Sequence, residues 1–531
     1  MISAMSSTTR TRLTVAAALA AILAAAFWQR WQVLGATPFP VGIDGYFYPI
    51  QVRSLLEHGA LRYPSSPLTF YWMLPFAAAT DPITGAKIAA ALGSALIAVP
   101  AYGVGARLAG GASSPGIARG AGLVAAMVAA MSAGSGYLAI EFVKQGLGLT
   151  VALAALWAIL RALDPHPDPV VPGARIGGAH VFSWWRVTTA VILLIAVFAT
   201  HKLAAALVLV VAAPAIVIQA RHELRGRRLI YAMLLGIVLV VAFVIAGIVA
   251  PQRFVSLHDL ALVARLFGGI SHYDMPALVV PYGGIELLFD YEPLLAGLVS
   301  LAALAVLIVD SRRAEPRIAR DVRIAGFAIA ALGIAMAIPF LRVDDPQGLG
   351  FRFRIAAFVP LALGAAICAG ELARWIPRYA VPILAALALA IFAIELPQDR
   401  TEGEVLTHPA LAAAVAAANG RIPAGATVIV PERHIMFMVD WYTRAPVTLR
   451  PEPIPYMHRV RLFGLVFIGG PGSPLDRALD AARKSPDVEP PLGLHASYRN
   501  GLVLVTEPTW AWLLAHVPDR ERARLAAWPT I

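Results

Sequence analysis

The residues best suited to chemistry stand in a stretch, Val41–Pro75, that follows the first long apolar run of the chain. Asp44 lies there beside an aromatic triplet, Tyr46–Tyr48, and a second aromatic group follows at Phe70–Trp72. A carboxylate in this setting can act as a general base toward an acceptor hydroxyl, or as a metal ligand. The alternative is a plain turn, because Asp followed by Gly is common in turns.

A second carboxylate, Glu141, comes after the third predicted span, and Lys144 follows three residues later. Asp44 and Glu141 on one face could share a divalent metal such as Mg²⁺ or Mn²⁺, or divide the roles of acid and base. A salt bridge between Glu141 and Lys144 at a helix end explains the pair equally well. The predicted catalytic residues and metal ligands are therefore Asp44 and Glu141, and the predicted cofactor is a divalent metal or none.

Cationic side chains near the predicted span ends are candidates for binding a lipid-borne phosphate. Lysine is rare in this chain, and three of its four positions fall at predicted outer ends of spans, where an ammonium group supplies a compact countercharge. Snorkelling to lipid headgroups is the alternative explanation. Arginine binds phosphate through its planar fork, although the arginines near Asp344 and Asp345 could simply neutralise that loop. The predicted phosphate ligands are Lys144, Lys202, Arg342, Arg352 and Arg354.

Several further polar and aromatic residues are candidates for contact with the rest of a substrate. Tyrosine rings can stack on a sugar, but an aromatic belt at the membrane interface is at least as good an explanation. A lone histidine is more often structural than functional. The candidates are Tyr46, Tyr48, His201, His272, Asp274 and Glu286.

The composition indicates a membrane protein with many spans. Of 531 residues, 59% are hydrophobic and only 14% are charged, and the mean hydropathy is +0.71. Apolar runs near 20 residues recur along the chain, as transmembrane helices require. The net charge of +11 comes mainly from arginines in short loops between these runs, which argues against nucleic-acid binding. The single cysteine allows no disulfide within the chain.

The apolar runs predict about eleven spans, with the N-terminus in the cytoplasm. Residues 13–27 could be the core of a signal peptide, but an uncleaved first helix suits the polytopic chain better. The apolar region 187–220 is interrupted at His201–Lys202. Arginine-containing loops flank it on both sides, so the positive-inside rule divides it into two spans.

Two regions follow from this pattern. Residues 1–400 form the predicted transmembrane domain, with outer loops at 29–83 and 251–290, and Gln51–His58 is predicted as a short amphipathic helix. Residues 401–531 form a predicted α/β domain on the extracytoplasmic side. Its predicted strands are Ala424–Val430, Leu465–Ile468 and Leu502–Val505, and its predicted helix is Leu475–Arg483. The predicted fold class is an all-α polytopic membrane protein with a small C-terminal α/β domain.

Four features of the sequence resemble the GT-C superfamily of polyprenyl-phosphate-dependent glycosyltransferases. They are Gly42–Pro49, Glu141 after the third span, Trp184–Lys202 and Phe351–Pro360. The third is similar to the protein-mannosyltransferase and aminoarabinose-transferase branch, and the fourth also to the oligosaccharyltransferase catalytic subunits. The resemblance implies inversion at a sugar carried on a lipid phosphate, with Asp44 as catalytic carboxylate. It further implies that Lys202 and the late arginines hold the donor phosphate.

Two departures from the superfamily pattern limit what the resemblance implies. Gly45 follows Asp44, where many members carry a second acid, so a strict metal requirement is not expected. Asp440–Trp441 is not the Trp-Trp-Asp motif of the oligosaccharyltransferases, so transfer of a whole oligosaccharide to asparagine is not expected either.

The sequence thus predicts a glycosyltransferase in the inner membrane of a bacterium or archaeon. Its partners would be a polyprenyl-phosphate-sugar donor, membrane lipid and an acceptor glycan, lipid or protein. A transporter or flippase is one alternative, although that class usually shows two related halves and no repeat is visible here. A non-catalytic membrane scaffold is the other. The enzyme hypothesis requires Asp44, Glu141, Lys202 and Arg352 to line one cavity that faces the outer leaflet.

Overall fold

The computed structural model describes six main stretches of the chain: residues 7–42, 44–110, 115–163, 184–223, 292–337 and 349–376. It also describes short stretches within 241–249, 379–386 and 412–419, and the elements of the C-terminal region given below. The predicted site residues Arg342, His272, Asp274 and Glu286 lie outside the described residues.

The described part of the transmembrane region consists of α-helices. The first seven are α1 Ser7–Leu34, α2 Phe47–His58, α3 Leu68–Ala79, α4 Pro82–Ala95, α5 Ala98–Leu108, α6 Pro115–Met131 and α7 Ala133–Ile140. The next seven are α8 Val143–Leu163, α9 Trp184–Thr200, α10 Lys202–Glu223, α11 Glu292–Ser311, α12 Arg320–Ala337, α13 Leu349–Ile355 and α14 Phe358–Trp375.

Several of these helices can cross a membrane. Among the described residues, five are long and apolar enough: Thr9–Leu34, Pro82–Leu108, Val143–Leu163, Glu292–Ser311 and Arg352–Trp375. The bent pair α6–α7 makes a sixth if it counts as one span, and α3, α9 and α10 provide shorter apolar helices. The chain is therefore a helical polytopic membrane protein, as predicted. The count of eleven stays a prediction, and the predicted spans 229–250 and 380–396 lie largely outside the described residues.

The ends of the observed helices agree only in part with the ends of the predicted spans. The predicted span 84–106 is divided into α4 and α5 by a turn at 96–97. The predicted span 119–135 ends at Met131, where Ser132 caps α7 by accepting a hydrogen bond from the Ser135 N–H. The region 187–220 divides at His201 into α9 and α10, the position that the sequence indicated.

The bend of 44° between α6 and α7 is held by Arg30. This side chain at the end of α1 is 0% exposed. Its guanidinium donates to the carbonyl of Ala130 at 2.7 Å, to Ser135 Oγ at 2.8 Å and to Ser94 Oγ at 3.1 Å. A buried guanidinium is tolerated only where its donors find acceptors, so this network fixes the junction that leads to Glu141.

Neighbouring helices approach closely through small residues. A Cβ built on Gly105 in α5 would stand 2.6 Å from the Cβ of Ala125 in α6, and one on Gly122 would stand 2.8 Å from the Tyr102 carbonyl oxygen. Small residues at such contacts let helix backbones meet, which is the usual way that helices associate inside a membrane.

The helices run between two ends of the bundle. At one end, called the upper end, α1 and α9 finish and α8 and α10 begin. Glu292, the first residue of α11, accepts a hydrogen bond there from the Gly134 N–H at 3.0 Å. At the lower end, Arg186 donates to the Arg161 carbonyl at 3.2 Å, and Arg374 donates to the carbonyl of Ala109. Arginines that border the predicted cytoplasmic loops therefore lie at the lower end in the described residues, and the positive-inside rule predicts that this end faces the cytoplasm.

An ionic cluster closes the lower end between α11, α12 and α14. Asp310 is 1% exposed and accepts backbone hydrogen bonds from Arg317 at 3.0 Å and from Ile318 at 3.2 Å. Its carboxylate also pairs with the guanidinium groups of Arg313 and Arg323, each at 3.4 Å. Arg313 continues to Glu371 of α14 at 2.7 Å. Both lower-end carboxylates are thus neutralised by arginines from neighbouring elements.

Beyond the membrane helices, the described strands form a parallel sheet in the order β2-β1-β4-β3. The strands are β1 Thr427–Ile429, β2 Val447–Thr448, β3 Val460–Leu465 and β4 Gly501–Thr506, and helix α15, Arg433–Thr443, connects β1 to β2. β1 and β4 match predicted strands. β3 begins before the predicted strand Leu465–Ile468. β2 was not predicted, because its two residues are too few to show the alternation of a strand in the sequence. The predicted helix Leu475–Arg483 lies outside the described residues.

We expect Asp310→Ala to lower the free energy of unfolding by about 1–3 kcal/mol, because it leaves the buried Ile318 N–H and the partly buried guanidinium groups of Arg313 and Arg323 without their carboxylate. Thermal unfolding of the purified protein in detergent measures the change. Glu315→Ala is the matched control, since Glu315 is an exposed acid of the same loop and its loss should change stability by less than about 0.5 kcal/mol. Equal unfolding temperatures for the two variants would contradict the role given to Asp310.

Candidate active site

Asp44 lies at the upper end in a tight turn that leads directly into α2. The Gly45 N–H donates to the Gly42 carbonyl at 3.0 Å, and the Phe47 N–H donates to the Asp44 carbonyl at 2.9 Å. Asp44 is partly exposed. The turn suggested by the Asp-Gly pair is therefore present, and it presents the carboxylate at a defined place between α1 and α2.

This turn packs directly against Glu141. Gly42 has a φ of 92°, and a Cβ built on it would stand 2.6 Å from the Ile140 carbonyl oxygen and 3.3 Å from Glu141 Oε2. Glu141 caps the C-terminal end of α7 and is 2% exposed. The two predicted catalytic carboxylates therefore belong to segments that touch, although they are far apart in the sequence.

The hydroxyl of Tyr48 lies among the charged groups of the site. Burial, and after it the Asp44 carboxylate, raises the pKa of Tyr48. Glu141 acts in the same direction, whereas Arg352 and a hydrogen bond with the Lys144 backbone act against it. The phenol therefore stays protonated, and the charges of Asp44, Glu141 and Arg352 all reach it.

The rings of the two predicted sugar-stacking tyrosines are packed against other aromatic side chains. Tyr48 and Tyr46 are each 5% exposed. The Tyr48 ring lies 5.6 Å from that of Phe47, and the Tyr46 ring lies 5.9 Å from that of Tyr442. This packing covers the ring faces, so neither tyrosine is open to stack on a sugar in the way that was predicted.

Two predicted phosphate ligands stand over aromatic rings close to the start of α8. Lys144 Nζ lies 5.0 Å from the centre of the Phe47 ring and donates to Ser65 Oγ at 3.0 Å. The Arg352 guanidinium lies 4.4 Å from the centre of the Phe142 ring. Aromatic faces stabilise cations by a cation–π interaction, so these rings hold the two charges in place.

His201 completes this side of the cluster. Gly148 in α8 makes room for it, since a Cβ there would stand 2.7 Å from the His201 Cβ. The charges of Arg352, Lys144 and Lys202 all act on the imidazole. The structure thus brings the predicted residues of the Asp44 turn, Glu141, Lys144, His201, Lys202 and Arg352 around one place at the upper end.

Two buried polar atoms at this place have no hydrogen-bond partner within the described part of the chain: His201 Nδ1 and Gln145 Oε1. The other end of the Gln145 amide is fixed, because Nε2 donates to the Arg352 carbonyl at 2.8 Å. Buried polar atoms in native proteins normally find a partner, so two such atoms near the same charged residues are candidates for contact with a ligand. Sequence reasoning missed Gln145, for which its position beside Lys144 was the only available signal.

Arg354 is not brought to the cluster in the way that was predicted. It is buried, at 2% exposed, on the same short helix as Arg352. Residues two apart on an α-helix point to nearly opposite sides. Since Arg352 faces the cluster, α13 does not direct both arginines toward one phosphate.

The predicted metal remains a prediction. No group of three or more His, Cys, Asp or Glu side chains that could hold a metal ion occurs among the described residues. Asp44 and Glu141 alone would be the protein's ligands, an arrangement that Mg²⁺ accepts when waters and a substrate phosphate complete its shell.

The contact between the Asp44 turn and α7 can be tested with a pair of glycines. Gly42 and Gly59 both have positive φ, at 92° and 69°, so alanine at either position introduces backbone strain of about 1–2 kcal/mol. A Cβ on Gly59 meets nothing within 4 Å, whereas one on Gly42 collides with Ile140. We expect Gly42→Ala to unfold at a clearly lower temperature than Gly59→Ala in detergent. Indistinguishable unfolding of the two variants would show that the turn does not rest on α7.

No protein-family model and no curated protein matches the sequence. Solved structures do match. The crystal structure of ArnT from Cupriavidus metallidurans bound to undecaprenyl phosphate has a TM-score of 0.50 and 15% identity, covering 85% of this chain and 87% of that chain. The structure of the same protein in the apo state has a TM-score of 0.47 at 14% identity, over 84% and 87% of the two chains. At such identities the likeness concerns the fold alone. The chain therefore has a fold similar to that of the ArnT bound to undecaprenyl phosphate.

Proposed function

We propose that this protein is a GT-C-type membrane glycosyltransferase that takes its sugar from a polyprenyl-phosphate-linked donor. The observation that carries the proposal is the convergence at the upper end of two carboxylate segments, Asp44 and Glu141, with the cations Lys144 and Arg352. Carboxylates gathered near cations suit a reaction in which a hydroxyl loses a proton while a phosphate leaves.

The donor phosphate would lie between Lys144, Arg352 and His201. Phosphate oxygens accept hydrogen bonds, and His201 Nδ1 is a buried atom that still needs a partner from outside the described residues. Gln145 Oε1 can only accept, so it suits a hydroxyl of the sugar instead. Lys202 lies near His201 and adds to the positive potential. Away from bulk water these charges stabilise a leaving phosphate far more than they would in solution.

The protein has an apolar cleft that could receive the lipid chain of the donor. The cleft lies between α8, α10, α12 and α14, and all the residues that line it are apolar. Its lining includes Leu149, Leu153, Val208, Met336, Ala356 and Val359. Leu149 stands one helical turn below Gln145, and Ala356 comes directly after the helix that carries Arg352. A prenyl chain in this cleft would therefore place its phosphate at the cluster. The bound undecaprenyl phosphate of the ArnT structure supports this assignment.

In the proposed reaction, Asp44 accepts the proton of the acceptor hydroxyl. The acceptor oxygen then attacks the anomeric carbon from the side opposite the phosphate, the bond to the phosphate oxygen breaks, and the configuration inverts. Lys144 and Arg352 neutralise the polyprenyl phosphate that leaves. Glu141, buried beneath the Asp44 turn, orients that turn and balances the two cations. A divalent metal bound by Asp44 and Glu141 would add a further positive charge near the phosphate.

The proposed location follows from the charge pattern. The arginines at the lower end support a cytoplasmic location for that end, and the site would then face the extracytoplasmic side of the inner membrane. The acceptor, which can be a glycan, a lipid or a protein, would approach Asp44 from there.

Replacing Asp44 by Asn tests the proposed base, because the amide keeps the shape and cannot take the proton. We expect kcat to fall about 10²–10⁴-fold. The assay measures release of undecaprenyl phosphate from undecaprenyl-phosphate sugars by the protein in nanodiscs. Asp81→Asn is the matched control, since Asp81 only caps α4 through hydrogen bonds from Ile83 and Thr84, which Asn can replace. Unchanged sugar transfer by Asp44→Asn would refute the enzyme, and lipid translocation without transfer would favour a flippase.

Binding of undecaprenyl phosphate tests the phosphate site separately. A hydrogen bond to a charged group contributes about 1.5–3 kcal/mol, so Arg352→Met should weaken binding about 10-fold or more. Native mass spectrometry or thermal shift with the lipid measures this. Arg444→Met is the control, because Arg444 is 68% exposed and pairs with Glu57 outside the cluster. Equal affinities for the two variants would remove Arg352 from the site.

A further inference from the structure

Helix α15 of the C-terminal region lies on α2 and the loop that follows it. Its Asp440 is 2% exposed and accepts a hydrogen bond from the Tyr63 hydroxyl at 2.6 Å. Arg62 pairs with the other carboxylate oxygen at 3.3 Å. Burial and the hydrogen bond to Asp440 raise the pKa of Tyr63, so the phenol keeps the proton that it donates. Asp440 is therefore a buried anchor between two regions that are distant in the sequence.

The residues after Asp440 reach the start of α2. Arg53 donates to the Trp441 carbonyl at 2.8 Å, and its guanidinium lies 4.2 Å from the centre of the Trp441 ring. The hydroxyl groups of Tyr442 and Tyr46 are 3.1 Å apart. Tyr46 is two residues from Asp44 in the same turn, so α15 touches the segment that carries the proposed base.

A second line of contacts leads from α15 to the proposed phosphate ligand. The ring of Phe437 lies 5.2 Å from that of Phe47 and 5.5 Å from that of Tyr63. Phe47 is the ring over which Lys144 Nζ stands. The position of this ring, and with it the support of Lys144, thus depends partly on α15.

Helix α2 needs this support because its own start is weak. Tyr46 occupies the N-cap position, but its side chain makes no capping hydrogen bond to the first turn, and the helix has only 12 residues. Helices of this length are marginal by themselves and gain most of their stability from packing. In the described residues, α15 supplies both ionic and aromatic packing to α2.

We propose that α15 is a positioning element of the active site and that Asp440 is its anchor. The inference rests on the proposed function. Asp440 touches neither substrate nor reacting atoms in this assignment. It acts through Tyr63 and its neighbours on α2, and α2 in turn fixes the Asp44 turn and the ring beneath Lys144. The C-terminal region thereby takes part in catalysis without contributing a reacting group.

Hydrogen exchange tests the mechanical part of the proposal without any assay of activity. In the full-length protein in nanodiscs, Asp440→Ala should speed exchange of the backbone amides of α2 at least tenfold, while the amides of α8 stay unchanged. Arg444→Ala is the control, since the exposed Arg444–Glu57 pair also joins α15 to α2 and such pairs contribute little. Unchanged exchange in α2 would overturn the proposal. Tyr63→Phe removes the same hydrogen bond with a smaller change and decides the question if Asp440→Ala does not fold.

A double-mutant comparison tests the catalytic part. Asp440→Ala should lower kcat about tenfold in the otherwise natural chain, because small displacements of a reacting group are costly. In the Asp44→Asn background it should lower the remaining rate by clearly less than tenfold, because one of the two groups that it positions, the Asp44 carboxylate, is already gone. Asp440→Asn should recover most of the rate, since the amide oxygen still accepts the Tyr63 hydrogen bond.

The outcomes separate the two proposals. An equal loss in both backgrounds, or no loss from Asp440→Ala, overturns the positioning role and leaves the glycosyltransferase standing. A fully active Asp44→Asn protein overturns the proposed function instead, and the hydrogen-exchange result still decides whether α15 holds α2.

Discussion

The cost of placing charge inside a membrane protein governs this structure. An ionised side chain in an apolar bundle is tolerated only when opposite charges, hydrogen bonds or aromatic faces surround it. The chain meets this condition at helix ends. At the upper end, Lys144 and Arg352 stand over Phe47 and Phe142, and Glu141 is buried beside them. The helices between the two ends keep a nearly uniform apolar packing.

The two ends satisfy the same condition in different ways. At the lower end, Asp310 and Glu371 receive hydrogen bonds and ion pairs from several arginines. All four carboxylate oxygens of that cluster are paired with arginines, and the cluster closes the bundle. At the upper end, His201 Nδ1 and Gln145 Oε1 are buried without a partner in the described part of the chain. An ionic cluster that still needs partners, placed above an apolar cleft, has the character of a binding site.

Much of this arrangement could be predicted from the sequence, and the limits have physical causes. Apolar runs and arginine positions predicted the helical bundle and the break at His201, because those signals are local. The common side of the predicted topology also led to the prediction that Asp44, Glu141, Lys202 and Arg352 line one cavity, and that cavity stays a prediction.

Contacts between distant elements were not predictable in the same way. Arg30 carries no local sign of its burial, since its acceptors Ser94, Ala130 and Ser135 come from three other segments. Arg352 and Arg354 lie on different sides of α13 because this segment is helical. Its polar sequence did not predict a helix. In the sequence, Asp440 was considered only because Asp440–Trp441 does not match the Trp-Trp-Asp motif. No neighbouring residue indicates its hydrogen bond with Tyr63.

The placement of α8 and α10 has an electrostatic consequence for the upper end. Both helices begin at the charged cluster, at Val143 and at Lys202. The aligned peptide dipoles of an α-helix concentrate the equivalent of about half an elementary positive charge at its first turn. Two such macrodipoles converge on the place where Lys144 and Arg352 stand, so the backbone itself draws anions there. This contribution cannot be titrated away, and no side-chain substitution removes it.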